Sequence, residues 1–373
     1  MDVWKKIESS GEVPPPRLAH ASCSDLSGTT LYIHGGLFGF AGDAFGDLWR
    51  YDVATASWAK LHTTGDVPAA RFYHSLVAVD ATTLALFGGF NVFNTQPNHT
   101  SFDDLFLLRT DTLVWERMSC PAGAARPTRR GAHGSFVSSA TSSGGTATPG
   151  IFVFGGFEVI SQTGHHDDLW RFDLVNRSWT DVHAGIVASG GGGRPSGRIG
   201  FALATDASGK VHIFGGGGST STAASGVAEA GGASIHAGAS AVSTSQHGDH
   251  WVFDPRANTW AQVDFTSASN PPPRRATNGD AQEHGFFFMF GGIAIEDGGK
   301  KVTLFDDFWV FDPTTSAWMP WFPNYGLPPK PSASFGHTLT AVGDTLFLFG
   351  GRTDTPTSPG TNQFWSYRPT PPR

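Results

Sequence analysis

Six times along the chain an apolar run ends in a pair of glycines: Leu31–Gly36, Leu84–Gly89, Ile151–Gly156, Val211–Gly216, Phe287–Gly292 and Leu346–Gly351. Each pair is followed by a loop of variable length and then a second apolar segment. These segments are Asp47–Asp52, Asp104–Arg109, Asp168–Asp173, Asp249–Asp254, Asp307–Asp312 and Gln363–Arg368. In the first five units a tryptophan stands six residues beyond the segment, at Trp58, Trp115, Trp179, Trp260 and Trp318. That fixed interval marks one structural unit used repeatedly, which is the first thing to establish in a chain of 373 residues. Before each glycine pair lies a further short stretch, opened by Arg17 and His20, Arg71 and His74, Arg130 and His133, or, without the arginine, Ser334 and His337. Units four and five depart from it, with Arg198 and Phe201, and with Arg275 and Asn278.

Each unit therefore reads as four strands: a from the histidine stretch, b ending in the glycine pair, c with its leading acid, and d with the lone tryptophan. Composition agrees. The 48 Gly and 24 Pro beside 13% aromatic residues call for short strands and tight turns, and they exclude long helices. One such sheet cannot bury both of its faces, so neighbours must stack, and closing the stack into a ring buries the last pair.

The combination of glycine pair, aromatic-Asp segment and spaced tryptophan resembles the kelch repeat, over essentially the whole chain. The resemblance implies an all-β, six-bladed β-propeller with four antiparallel strands per blade. The expected blades are 17–61, 71–118, 129–183, 198–264, 274–321 and 334–367, within a single domain spanning 1–373. The sixth unit has no tryptophan after Tyr367, whereas Trp4 stands alone before the first unit. Residues 2–7 are therefore expected to supply the outer strand of blade six and close the ring. Only Trp321 is surplus to the scheme. Two low-complexity stretches, Ser138 to Gly150 and Gly217 to Gln246 (within the loop 217–248), are expected to be mobile loops.

A net charge of −7 offers no basic footprint for nucleic acid or an anionic membrane. The N-terminus lacks a signal peptide's apolar run, and no stretch is long enough to span a bilayer. Two distant cysteines, Cys23 and Cys120, make no disulfide framework. A cytoplasmic monomer is expected, with no cofactor. His165, His166, His247 and His250 beside Asp168 and Asp249 have the chemistry of metal ligands, but the acids are already explained as the first residues of strand c. Kelch-type copper-radical oxidases need a Tyr–Cys crosslink, and neither cysteine has a tyrosine partner in the repeat reading. Plant specifier proteins bind iron through a Glu-x-x-x-Asp-x-x-x-His pattern, which does not occur here. A metal-dependent lyase or oxidase is the alternative to an interaction scaffold.

Kelch propellers that are little more than the ring resemble scaffold and effector proteins, among them a small kelch effector of a Rab GTPase. The expected function is accordingly a scaffold holding a protein or peptide partner. The order a-b-c-d puts the b–c and d–a loops on one side, and the b–c loops are the long ones. Partner contacts are expected there, through Phe90, Phe93, Phe157, Trp321, Phe322 and Tyr325. The resemblance adds Arg17, Arg71 and Arg130 near the channel mouth as forked donors to an acidic peptide.

Overall fold

The computed structural model describes every residue except 1–2, 40–42, 93–99, 122, 140–148, 159–163, 189–192, 219–244, 265–270, 272–277, 284, 297–300, 322–328, 354–359 and 371–373. It is a six-bladed propeller with four antiparallel strands in each blade. In order a to d, blade 1 is Ala21–Ser24, Thr30–His34, Leu48–Asp52 and Ser57–Leu61. Blade 2 is Ser75–Asp80, Thr83–Phe87, Leu105–Arg109 and Val114–Arg117, and blade 3 is Gly134–Ser138, Gly150–Phe154, Leu169–Asp173 and Ser178–Asp181. Blade 4 is Ala202–Thr205, Val211–Phe214, His250–Asp254 and Thr259–Gln262. Blade 5 is Asn278–Glu283, Phe286–Glu296, Lys301–Asp312 and Ala317–Pro320. Blade 6 is Phe335–Val342, Thr345–Arg352 and Phe364–Tyr367, completed by Lys5–Lys6.

The N-terminal strand closes the ring as the repeat count requires. Lys5 and Lys6 pair with Ser366 and Trp365, and Ile7 N–H donates to the Phe364 carbonyl. Trp4 is buried against Phe290, Phe308 and Tyr367, so the aromatic position that blade 6 lacks after Tyr367 is filled from the other end of the chain.

Six apolar seams, one between each pair of adjacent blades, hold the ring. Strand b lies in the middle of its blade with a neighbouring blade on each face, so it is buried on both sides and reads as an unbroken apolar run. The seam between blades 3 and 4 joins Phe136, Phe152 and Phe154 to Phe201, Phe253 and Trp260; the one between blades 6 and 1 joins Phe347, Phe349 and Phe364 to Trp49, Tyr51 and Trp58.

The glycine pairs have a steric origin. Both glycines of each pair have φ between +64° and +105°. A Cβ on the second would strike the histidine of its own strand a: His20 against Gly36, His74 against Gly89, His133 against Gly156. A Cβ on the first would strike the histidine of the next blade, as His74 does at Gly35 and His20 at Gly350. Each strand-a ring is wedged between two glycine pairs, and in blade 4 Phe201 takes the same station. Gly156→Val would impose a β-branched side chain at φ +90° with its Cβ 2.8 Å from the Gly131 carbonyl. Backbone strain alone is expected to cost about 1–3 kcal/mol, read by denaturant unfolding. A loss no larger than that of a surface substitution would mean that the pair merely has to be small.

Two features depart from the sequence reading. A short helix, Val182–Ala188, follows strand d of blade 3; Asp181 caps it by accepting from the His183 and Ala184 amides, and Ile186 packs into the seam with blade 4. In blade 5, strands b and c continue past the glycine pair as a hairpin, pairing Gly292 with Phe305 through to Glu296 with Lys301. Most of each low-complexity stretch, 140–148 and 219–244, lies outside the described residues.

Candidate functional site

The b–c/d–a face is built on a repeated clamp. At the start of strand a in blades 1 to 4 an arginine is fully buried and forks onto the acid that opens strand c of its own blade. Arg130 is typical: Nη1 and Nη2 donate to the two Asp168 carboxylate oxygens at 2.5 and 2.9 Å, Nη1 also to the Gly155 carbonyl at 3.0 Å, and Nε to the Thr128 carbonyl at 3.0 Å. Arg17–Asp47, Arg71–Asp104 and Arg198–Asp249 repeat this arrangement. The acid also accepts from the strand-c indole two residues on, Trp49, Trp170 or Trp251. The arginine's own carbonyl accepts from the second glycine of the preceding blade, as Arg130 does from Gly89 and Arg17 from Gly351. One residue thus ties three strands and two blades together. Blade 6 uses neutral groups instead: the Gln363 amide donates to the Gly350 carbonyl and its oxygen accepts from Trp365.

The residue two places before the strand-c acid completes the junction. Phe45 N–H donates to Gly36 and its carbonyl accepts from Arg71; Phe102 links Gly89 to Arg130 in the same way. Their rings lie over Arg17 and Arg71, with 4.4 and 4.0 Å between guanidinium carbon and ring centre. His166 and His247 occupy this backbone station in blades 3 and 4, bonded to Gly156 and Gly216. The junction therefore accounts for His166 and His247. His166 lies 3.3 Å from Thr128 Oγ1, His247 lies 3.4 Å from Ser196 Oγ, and His250 is buried against His212. His165 is partly buried beside Phe157. Among the described residues no three His, Cys, Asp or Glu side chains converge as a metal site.

The axis itself is stoppered at this face. Leu18, Leu37, Phe72, Phe90, Ala132, Phe157, Ile199, Ile293 and Phe335, drawn from all six blades, form one buried cluster, overlaid by Ala44, Tyr73, Ile295 and Leu304. At the other end a cavity of about 550 Å³ opens between the strands a of blades 1, 2, 3, 4 and 6. Its wall carries the hydroxyls of Ser22, Ser24, Ser75, Ser135, Thr205 and Thr340, some bonded from blade to blade, as Ser22 is to Thr340 (2.6 Å) and Ser75 to Ser135 (2.8 Å). No charged side chain lines it among the described residues.

These placements correct much of the expected contact set. Arg17, Arg71 and Arg130 are at most 1% exposed, and their donors are directed at protein oxygens, so they offer no fork to a peptide. Phe90 and Phe157 are part of the axial stopper. Trp321 extends strand d of blade 5, its N–H bonded to Phe308, its indole donating to the Tyr367 hydroxyl and packing on the seam with blade 6. Phe93, Phe322 and Tyr325 lie outside the described residues. What the repeat pattern missed is Phe38, 46% exposed on the first b–c loop, and the blade-5 hairpin with Val302 at 41%. The length of the apolar run through Ile295 was the available signal for the hairpin. Cys23 does have a tyrosine neighbour: it stands opposite Tyr32, both turned into the seam between blades 1 and 2, where burial pushes the thiol up.

Burial also governs the histidines. Desolvation first, then the Arg130 charge, lowers His133 to about 3; His34 falls to about 3, and His166 and His337 to about 4. Unfolded, the same rings take up a proton near 6.5. Between those limits the unfolded chain binds more protons than the folded one, so stability is lost as the pH is lowered across that interval. Burial would raise the Asp168 carboxyl, but the Arg130 fork outweighs it and holds the pKa below normal, which extends the loss to lower pH. The expected result is full stability above about pH 6.5 and steep acid unfolding below it, read as denaturation midpoint against pH. A flat profile from pH 7 to 4 would show that the rings are protonated in the fold.

A family model described as the KLHDC2/KLHL20/DRC7 Kelch-repeats domain matches residues 1–216 and 146–351. The chain belongs to the kelch-repeat family. This kelch chain is similar to Kelch domain-containing protein 3 of Bos taurus, 27% identical over 217 residues, or 57% of this chain and 51% of that protein. It is similar also to the Leucine-zipper-like transcriptional regulator 1 homolog of Drosophila melanogaster, at 24% over 347 residues (89% and 30%). Tip elongation aberrant protein 1 of Schizosaccharomyces pombe matches at 31% over 221 residues (57% and 17%). The chain spans about half or less of the length of these relatives. No helix among the described residues is long and apolar enough to cross a membrane.

Proposed function

We infer that this kelch propeller is a protein-interaction scaffold whose partner docks on the b–c/d–a loop face. The observation that carries the reading is the asymmetry of that face. Blade 5 raises a paired hairpin, Gly292–Glu296 against Lys301–Phe305, longer than any pairing among the described b–c residues of the other blades, where blade 4 pairs only Gly217–Gly218 with Ser245–Gln246. The loop of blade 4 braces it, the Gln246 amide donating to the Ile295 carbonyl. This hairpin, with Val302 on it and Phe38 on another loop of the same face, supplies apolar anchor points on a scaffold held by the buried clamps. With the axis stoppered, the partner lies across the loops rather than entering the ring.

The test is affinity capture with the whole chain. Phe38→Asp combined with Val302→Asp is expected to weaken capture by about tenfold or more, some 1.4 kcal/mol, with the unfolding midpoint unchanged. Val175→Asp, in the exposed c–d turn of blade 3 on the opposite side, is expected to have no effect. The reverse pattern would put the partner on the other face.

A further inference from the structure

The linkers that carry the chain from one blade to the next do more than connect. Between blades 1 and 2, Thr64–Gly65 adds to the outer strand of blade 2 as a fifth, parallel strand, Val114 opposite Thr64 and Trp115 opposite Gly65. Thr64 N–H donates to the Leu113 carbonyl at 2.9 Å, Asp66 N–H to the Trp115 carbonyl at 3.0 Å, and the Asp66 carboxylate accepts from Arg117 N–H. Between blades 6 and 1, Ser10 does the same on blade 1: its N–H bonds to the Ala56 carbonyl and its carbonyl to Trp58 N–H, in a parallel bridge to Ser57. The two latches share a pattern. Ser10-Gly11-Glu12-Val13-Pro14 matches Thr64-Gly65-Asp66-Val67-Pro68, with the glycine at φ +83° or +81° and the proline buried. The glycine is obligatory, because a Cβ there would lie 3.0 Å from the Trp58 carbonyl and would collide with the Trp115 carbonyl.

Among the described residues, blade 3 has the same outer strand without a latch. Arg177, at φ +51°, turns the chain as Ala56 (+51°) and Leu113 (+58°) do, and Trp179 is buried as Trp58 and Trp115 are. Its linker, however, is built differently. Counting back from buried Pro127, the glycine station is Ala124, and Gly123 falls one place early with nothing within 4 Å of where a Cβ would be. Fifteen positions separate Trp115 from Arg130, against thirteen from Trp58 to Arg71. Among the described residues no backbone group pairs with the outer side of Ser178–Asp181, and the linker reaches Trp179 through the Cys120 side chain.

We propose that the outer edge of blade 3 is a second docking site, which takes an extended partner segment of the form Ser/Thr-Gly-Asp/Glu-Val-Pro as a parallel fifth strand. Recognition is by main-chain hydrogen bonds to the Arg177 carbonyl and the Trp179 amide, and selectivity by the left-handed glycine. An open edge with these groups in register is a template for strand addition, and the chain twice uses this segment to cover the same edge.

The probe is a synthetic peptide with the sequence of residues 62–69, added to the full chain and followed by hydrogen exchange. At ten times its dissociation constant it is expected to slow exchange of the 177–181 amides about tenfold. A peptide with valine at the Gly65 position, and one N-methylated at the Thr64 position, are expected to give no protection. Absence of saturable protection at 177–181, equal protection by the two altered peptides, or protection confined to another blade would each overturn the assignment.

Discussion

Arg130→Ala is expected to destabilise the propeller by about 3–5 kcal/mol, because it strands the Asp168 carboxylate in a mostly dry junction and removes donors from the Gly155 and Thr128 carbonyls. Arg130→Lys is not expected to rescue it, since an ammonium cannot reproduce the two-pronged bond to the carboxylate. Blade 6 carries the neutral Ser334 and Gln363 at the two stations, Ser334 bonded to His337 and Gln363 still accepting from Trp365. Pairing Arg130→Ser with Asp168→Gln is therefore expected to recover on the order of 1–3 kcal/mol relative to the sum of the single changes. Equilibrium unfolding of the four proteins decides the matter. A loss under about 0.5 kcal/mol for Arg130→Ala would show that the clamps are not what holds the loop face.

Trp4→Ala is expected to cost about 3–5 kcal/mol, the scale for emptying a large aromatic site in a core. The indole contacts Phe290 and Phe308 of blade 5 and Tyr367 of blade 6, so its loss loosens the seam at which the two ends of the chain are joined. Removing residues 1–8 is expected to do more, since it also deletes the strand over Ser366 and Trp365 and bares an edge. An unchanged unfolding midpoint for the truncated protein would mean that closure rests on the other seams alone.

The number of blades, the strand order within them and closure by the N-terminus were all present in the sequence, because each follows from local spacing. A glycine pair marks the end of strand b, a tryptophan six residues beyond the strand-c segment marks strand d, and a surplus Trp4 balances a missing one after Tyr367. Those features repeat, and repetition makes a weak local signal reliable. The clamps were half legible. Arg130 and Asp168 both stood out, yet they lie 38 residues apart and nothing local says that they meet. The same reading that placed the arginines correctly at the start of strand a sent them toward a partner, because an arginine on a loop and an arginine folded back onto its own blade look alike in one dimension. Phe90 and Phe157 failed for a related reason: each follows a glycine pair in what the sequence presents as a loop, but the ring brings such positions from blades 1, 2, 3 and 5 onto one axis, where they are buried together with residues from the start of strand a.

Tertiary structure alone decided which face is stoppered and which edges are covered. The stopper requires residues from all six blades, and no single repeat carries it. The edges turn on one position: Gly11 and Gly65 let a linker lie along the neighbouring strand, and Ala124 at the corresponding place in a longer linker does not. Strand pattern is set by side-chain periodicity along the chain, which sequence records directly. Burial at the axis and at the rim depends on which distant segments arrive there, and that is settled only when the ring closes.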